Sequence, residues 1–157
     1  MKDADKLPTP KVEGARLLVV AAPYYRSITD MMQRGVDAAA AQAGATLDRV
    51  FVPGAFEIPA AIAHAAKTKG YDGYVALGCV VRGETSHYDY VCGESARGLM
   101  DLSVREGLAI GYGILTVENL AQAEARADPR RGDKGGEAAR ACLAMIALKR
   151  RFAEVAP

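Results

Sequence analysis

Short, uniformly apolar runs alternating with helical stretches constrain this chain most. Leu17-Leu18-Val19-Val20-Ala21-Ala22 has no polar position at all, as expected of a strand covered on both faces. Pro23-Tyr24-Tyr25 ends it, and a helical pattern runs from Ile28 to Ala43, with Ser27 or Thr29 as cap and Gly44 as stop. Leu47 to Val52 reads as a second strand closed by Pro53-Gly54, and Ile58 to Thr68 as an Ala-rich helix before Gly70. Tyr74 to Val81 is the third strand, followed by a helix from about Tyr88 to Glu106, and Ala109 to Leu115 is the fourth. Helices at Leu120 to Ala127 and Glu137 to Phe152 flank the polar stretch Asp128 to Gly136. The order βαβαβαβαα predicts a mainly parallel four-stranded sheet with right-handed crossovers and helices on both faces, a three-layer α/β sandwich.

At 157 residues the chain is one domain's worth. Residues 1–14 are polar and rich in proline and charge; they read as a flexible N-terminal tail before a single domain over 15–157. That tail lacks the apolar centre of a signal peptide, and no apolar run reaches the ~18 residues of a membrane span. A cytoplasmic location is expected. The net charge of +1, with both signs scattered, recommends neither nucleic acid nor an anionic membrane as partner. Cys79, Cys92 and Cys142 are odd in number and widely spaced, which argues against a disulfide framework and against structural zinc; no metal site is expected.

Open parallel sheets collect ligands beyond the carboxyl ends of their strands. Applied here, that rule gathers Pro23-Tyr24-Tyr25, the segment Pro53 to Glu57, Arg82 to His87, and Thr116 to Asn119. The third segment is the most telling. Glycine, threonine and backbone N–H groups in Arg82-Gly83-Glu84-Thr85 suit an anion, and His87 adds an imidazole able to take up and give back a proton. A phosphate grip beside a proton shuttle points to chemistry on a small phosphorylated molecule.

Four segments in register carry a resemblance. They are Val52-Pro53-Gly54-Ala55-Phe56-Glu57-Ile58-Pro59, Leu77 to Val91, Ile114-Leu115-Thr116-Val117-Glu118-Asn119, and Asp133-Lys134-Gly135-Gly136-Glu137-Ala138-Ala139. Together they resemble the lumazine synthase family, over nearly the whole stretch from Arg16 to Phe152. The resemblance implies a flavodoxin-like fold and a transferase of riboflavin biosynthesis. Its members condense 5-amino-6-ribitylamino-pyrimidinedione with 3,4-dihydroxy-2-butanone 4-phosphate, without cofactor or metal, to 6,7-dimethyl-8-ribityllumazine, phosphate and water. It also implies a homopentamer with active sites between neighbours. Some members build closed shells of sixty subunits, and the turn at Asp128 to Lys134 leaves ring and shell both open.

The resemblance assigns roles residue by residue. Tyr24 matches an aromatic that stacks on the pyrimidinedione, while Tyr25 stands where many relatives carry asparagine. Ala55, Phe56 and Glu57 match the segment holding the ring edge and ribityl hydroxyls, and Cys79, Val80 and Val81 a strand end that the ring contacts. Glu84, Thr85 and Arg126 match phosphate-binding positions, His87 the catalytic histidine, and Tyr112 and Lys134 positions lent by the neighbouring subunit. Asp133, where asparagine is common, is placed to pair with Lys134.

Plainer readings exist for each. Tyr24 could simply plug a strand end, Glu57 could serve the dipole of the helix at Ile58, Arg126 could lie on a solvated face, and His87 could satisfy a helix start. His64, alone on an Ala-rich helix, has no expected role. Rival classes are a flavodoxin-like binding module, which has no use for Thr85, His87 and Arg126 together, a cysteine hydrolase built on Cys79 and His87, and a flavin binder.

Overall fold

In β1 (Arg16–Ala21) and β3 (Gly73–Val81), successive side chains enter two different cores, which is why both runs read as unbroken apolar sequence. Leu17, Val19, Ala21, Val75 and Leu77 face one layer of helices; Leu18, Val20, Tyr74 and Ala76 face the other. The computed structural model describes residues 8–155 and 157. Its sheet is entirely parallel, in the order β2-β1-β3-β4, with β2 at Thr46–Phe51 and β4 at Ile110–Val117. The predicted α/β sandwich is the observed architecture, and its flavodoxin-like strand order places β1 and β3 centrally.

One helical layer holds α1 (Arg26–Ala43), α4 (Leu120–Ala127) and α5 (Lys134–Val155); the other holds α2 (Ile58–Ala66) and α3 (His87–Arg105). α1 uses neither Ser27 nor Thr29 as cap. Tyr25 occupies the cap position without a side-chain bond, and the Thr29 hydroxyl donates back to the Tyr25 carbonyl at 3.2 Å. A missing cap costs about 1 kcal/mol, whereas each fully buried side chain such as Ile28, Met32 or Val36 contributes about 1.5–3 kcal/mol. Burial decides this helix. Gly44, left-handed at φ 75°, ends it as expected.

Several boundaries differ from the sequence reading: α1 opens at Arg26 rather than Ile28, α2 ends at Ala66 rather than Thr68, and β4 runs on to Val117 rather than ending at Leu115. A 3-10 turn at Ala55–Glu57 precedes α2, and α5 begins at Lys134 rather than at Glu137. Gly135 and Gly136, expected in the polar stretch before the helix, lie inside α5, where the helix sits against neighbouring backbone. A Cβ on Gly135 would overlap Met32 of α1, and one on Gly111 would overlap the Ala138 carbonyl. Of the expected tail, residues 1–7 lie outside the described residues. Its last part is packed: Val12 is buried and its N–H donates to the Ala43 carbonyl at 2.9 Å. Among the described residues no helix is long and apolar enough to cross a membrane, and no cluster of metal-ligating side chains occurs.

Candidate active site

All four strands point their carboxyl ends to one edge, and the segments leaving β1, β2 and β3 enclose a cavity of about 720 Å³ there. That volume lies within the ~300–1,000 Å³ common for small-molecule sites. Tyr24, Ala55, Phe56, Glu57, Cys79, Val80, Val81 and His87 all line it, so three separate strand ends converge. Tyr24 is 75% exposed and Phe56 56%, which leaves aromatic surface uncovered at the cavity wall. The 3-10 turn sets Glu57, whose N–H donates to the Gly54 carbonyl at 3.1 Å. Its carboxylate lies close over Gly54, at the start of α2.

The stretch between β3 and α3 is exposed throughout, Glu84 and Thr85 included. His87 is the first residue of α3, and its backbone N–H donates to the Thr85 hydroxyl oxygen at 3.3 Å. Thr85 accepts that bond with its lone pair and keeps its own O–H to donate. A turn with a hydroxyl donor beside an exposed imidazole has the elements needed to hold an anion and move a proton.

Cys79 is buried, and burial pushes its thiol from 9.0 up to about 11. It stays protonated near neutral pH, which removes the basis for a cysteine hydrolase. Cys142 is likewise raised, to about 12, by burial. The native state therefore holds these protons where the unfolded chain releases them, so stability falls as pH rises above about 9 and through the native values. We expect a loss on the order of 2 kcal/mol for Cys79 across that window. Denaturant melts between pH 8.5 and 11 check this: the slope should be shallower for Cys79→Ala, and an identical slope would contradict it.

Tyr25, Tyr90, Val91 and Glu94 also line the cavity. Tyr25 meets Tyr24 edge-on, with ring centroids 5.0 Å apart. Its phenol is raised first by burial, then by Tyr24 and Cys79. Tyr90, Val91 and Glu94 had a readable signal, since they follow His87 at helical spacings of three, four and seven.

Five expected residues do not line the cavity: Glu84 and Thr85 lie in the exposed turn leading to His87, and three stand on other elements. Arg126 is exposed in the last turn of α4, Tyr112 on β4 lines a separate hollow with Met100 and Ile110, and Lys134 opens α5 with Nζ 2.7 Å from Glu137. None lines the cavity within one chain. The expected pairing of Asp133 with Lys134 is corrected. Asp133 accepts from Arg140 at 3.1 Å and from the Gly136 N–H at 3.2 Å.

An all-parallel sheet with an aromatic-walled cavity at its carboxyl edge places the chain in the flavodoxin-like α/β class, with its ligand site expected at that edge. Residues 14–150 match the sequence model of the family described as 6,7-dimethyl-8-ribityllumazine synthase. The chain is 55% identical over 138 residues to the 6,7-dimethyl-8-ribityllumazine synthase of Novosphingobium aromaticivorans, covering 88% of this chain and 99% of that protein. It is 58% identical over 147 residues to 6,7-dimethyl-8-ribityllumazine synthase 1 of Rhizobium meliloti, covering 90% and 96%. The chain belongs to the 6,7-dimethyl-8-ribityllumazine synthase family.

Proposed function

We propose that this cavity is where the chain, a transferase of riboflavin biosynthesis, condenses 5-amino-6-ribitylamino-pyrimidinedione with 3,4-dihydroxy-2-butanone 4-phosphate. One observation carries the reading: Tyr24, the Ala55–Glu57 turn, the Cys79–Val81 strand end and His87 meet in a single cavity. Tyr24 stacks on the flat ring, backbone at Ala55 and Cys79–Val81 holds its edge, and Glu57 accepts from ribityl hydroxyls. Phe56 closes the wall. Thr85 and the Glu84 N–H receive the phosphate.

The reaction proceeds by imine formation, phosphate elimination, ring closure and loss of water. Each step moves protons, and His87 is the group beside the phosphate turn that takes and returns them. Holding both reactants in one cavity supplies much of the rate, since orientation is worth up to ~7–11 kcal/mol. Buried Cys79 contributes backbone rather than a nucleophile.

Arg126, Tyr112 and Lys134 serve the site of a neighbouring subunit in a homopentamer. Support comes from the edge position of β4 and from exposed Met100 and Tyr112, which line one hollow beside that edge. We place this ring in the cytoplasm, and sedimentation separates it from a sixty-subunit shell.

Purified protein mixed with both substrates should form lumazine, seen by its absorbance, with one phosphate released per product; no absorbance growth would refute the reading. Tyr24→Ala should weaken the pyrimidinedione far more than the phosphate substrate, by about 0.5–1.5 kcal/mol beyond the buried area. Phenylalanine there should be nearly neutral. Equal rises in KM for both substrates would remove Tyr24 from the stacking role.

A further inference from the structure

Arg82, the residue after β3, is held on three sides. Its Nε donates to Glu118 Oε2 at 2.8 Å, its Nη1 lies 3.6 Å from Asp89 Oδ1, and its guanidinium carbon sits 4.2 Å from the centre of the Tyr88 ring. Its backbone N–H donates to the Val117 carbonyl at 2.9 Å. One side chain thus joins the end of β3, the residue after β4 and the first turn of α3.

Beyond Arg82, the first turn of α3 meets the sheet through Tyr88, whose phenol hydrogen-bonds with Thr116 of β4, while the turn before it has few contacts of its own. Gly83 to Ser86 are exposed, and a Cβ on Gly83 would meet nothing. The local bonds, Thr85 with the His87 N–H and the Ser86 carbonyl with the Asp89 N–H, shape the turn without tying it to the sheet. Both ion pairs of Arg82 are partly exposed and contribute little to stability. Their consequence is geometric. Two carboxylates already match the guanidinium's charge, which makes Arg82 a poor ligand for a phosphate dianion.

We propose that Arg82 is a positioning residue: its clasp on Glu118, Tyr88 and Asp89 fixes the first turn of α3 and so holds the His87 imidazole at the cavity. The inference rests on the role of His87 given above. A group that acts only through His87 has nothing left to contribute once the imidazole is gone, and a double-mutant cycle reads that directly.

The test is steady-state kinetics on assembled protein carrying Arg82→Met, His87→Ala, or both. Arg82→Met should lower kcat by about ten- to a hundredfold, because small misplacements are costly, while KM for the phosphate substrate moves less than about threefold. In the His87→Ala background the same change should cost less than about twofold. Arg82→Lys should recover part of the loss, and Glu118→Gln, which leaves the arginine in place, should reproduce its direction. If Arg82→Met does not assemble, Glu118→Gln carries the cycle. Equal losses in both backgrounds would overturn the proposal, as would a tenfold rise in that KM, which would mark Arg82 as a direct phosphate ligand. Should His87→Ala alone leave kcat unchanged, the assignment of His87 falls first and this inference with it; additive losses sink Arg82 alone.

Discussion

Arg126→Ala is expected to raise KM for the phosphate-bearing substrate at least tenfold, while affinity for the ribityl-bearing partner barely moves. The butanone phosphate carries close to two negative charges. Thr85 and turn N–H groups alone match that charge poorly, and Arg82 is already committed to Glu118 and Asp89. In the proposed ring, a planar guanidinium from the adjacent subunit would complete the cage. Losing such a charge-assisted pair costs about 1.4 kcal/mol or more, which is the tenfold change. Arg126→Lys should restore only part, since a single ammonium lacks the two-pronged geometry. Because Arg126 stands outside the cavity of its own chain, rings mixed from impaired Arg126→Ala and His87→Ala subunits should be more active than rings of either variant alone. Mixed rings with demonstrated subunit exchange and no recovery would end the shared-site reading.

His87→Ala should lower kcat by roughly ten- to a thousandfold and leave ring assembly intact. The range is wide because proton transfer is only part of the acceleration. Tyr24, the Ala55–Glu57 turn and the strand end at Cys79–Val81, which line the cavity, are expected to go on orienting the reactants in the variant. Assembly should survive because the His87 side chain is exposed at the start of α3, outside both cores. Full turnover in an assembled variant would remove His87 from the mechanism.

The order of elements was legible because strands covered on both faces must be apolar throughout, and Leu17–Ala22 and Tyr74–Val81 are. Edge strand β2 gave a weaker signal, since Asp48 and Arg49 interrupt it and most of its side chains are exposed. The start of α5 was misjudged for a physical reason: glycine has low helix propensity, yet here its missing side chain lets a helix lie against backbone. The cavity's walls followed from the strand-end rule, and eight of the expected residues line it. Tyr90 and Glu94 were missed although helical spacing from His87 reaches them. The placement of Arg126, Tyr112 and Lys134 was never readable from one chain's pattern, because their proposed partners belong to another copy.

The glycine seam also sets where this protein has room to vary. At Gly111 and Gly135 no larger residue has a compensating partner to shrink, because the obstruction is main chain, the Ala138 carbonyl and Met32 of α1. Ordinary core positions drift in pairs, one side chain growing as its neighbour contracts. That route is closed here. Sequence change is therefore steered away from the junction of α5 with α1 and β4, toward exposed places such as β2 and the outer end of α5, where Phe152 and Val155 face solvent in the single chain. The segment bearing Lys134 rides on this junction, so main-chain contacts fix where that lysine starts whatever the surface around it becomes.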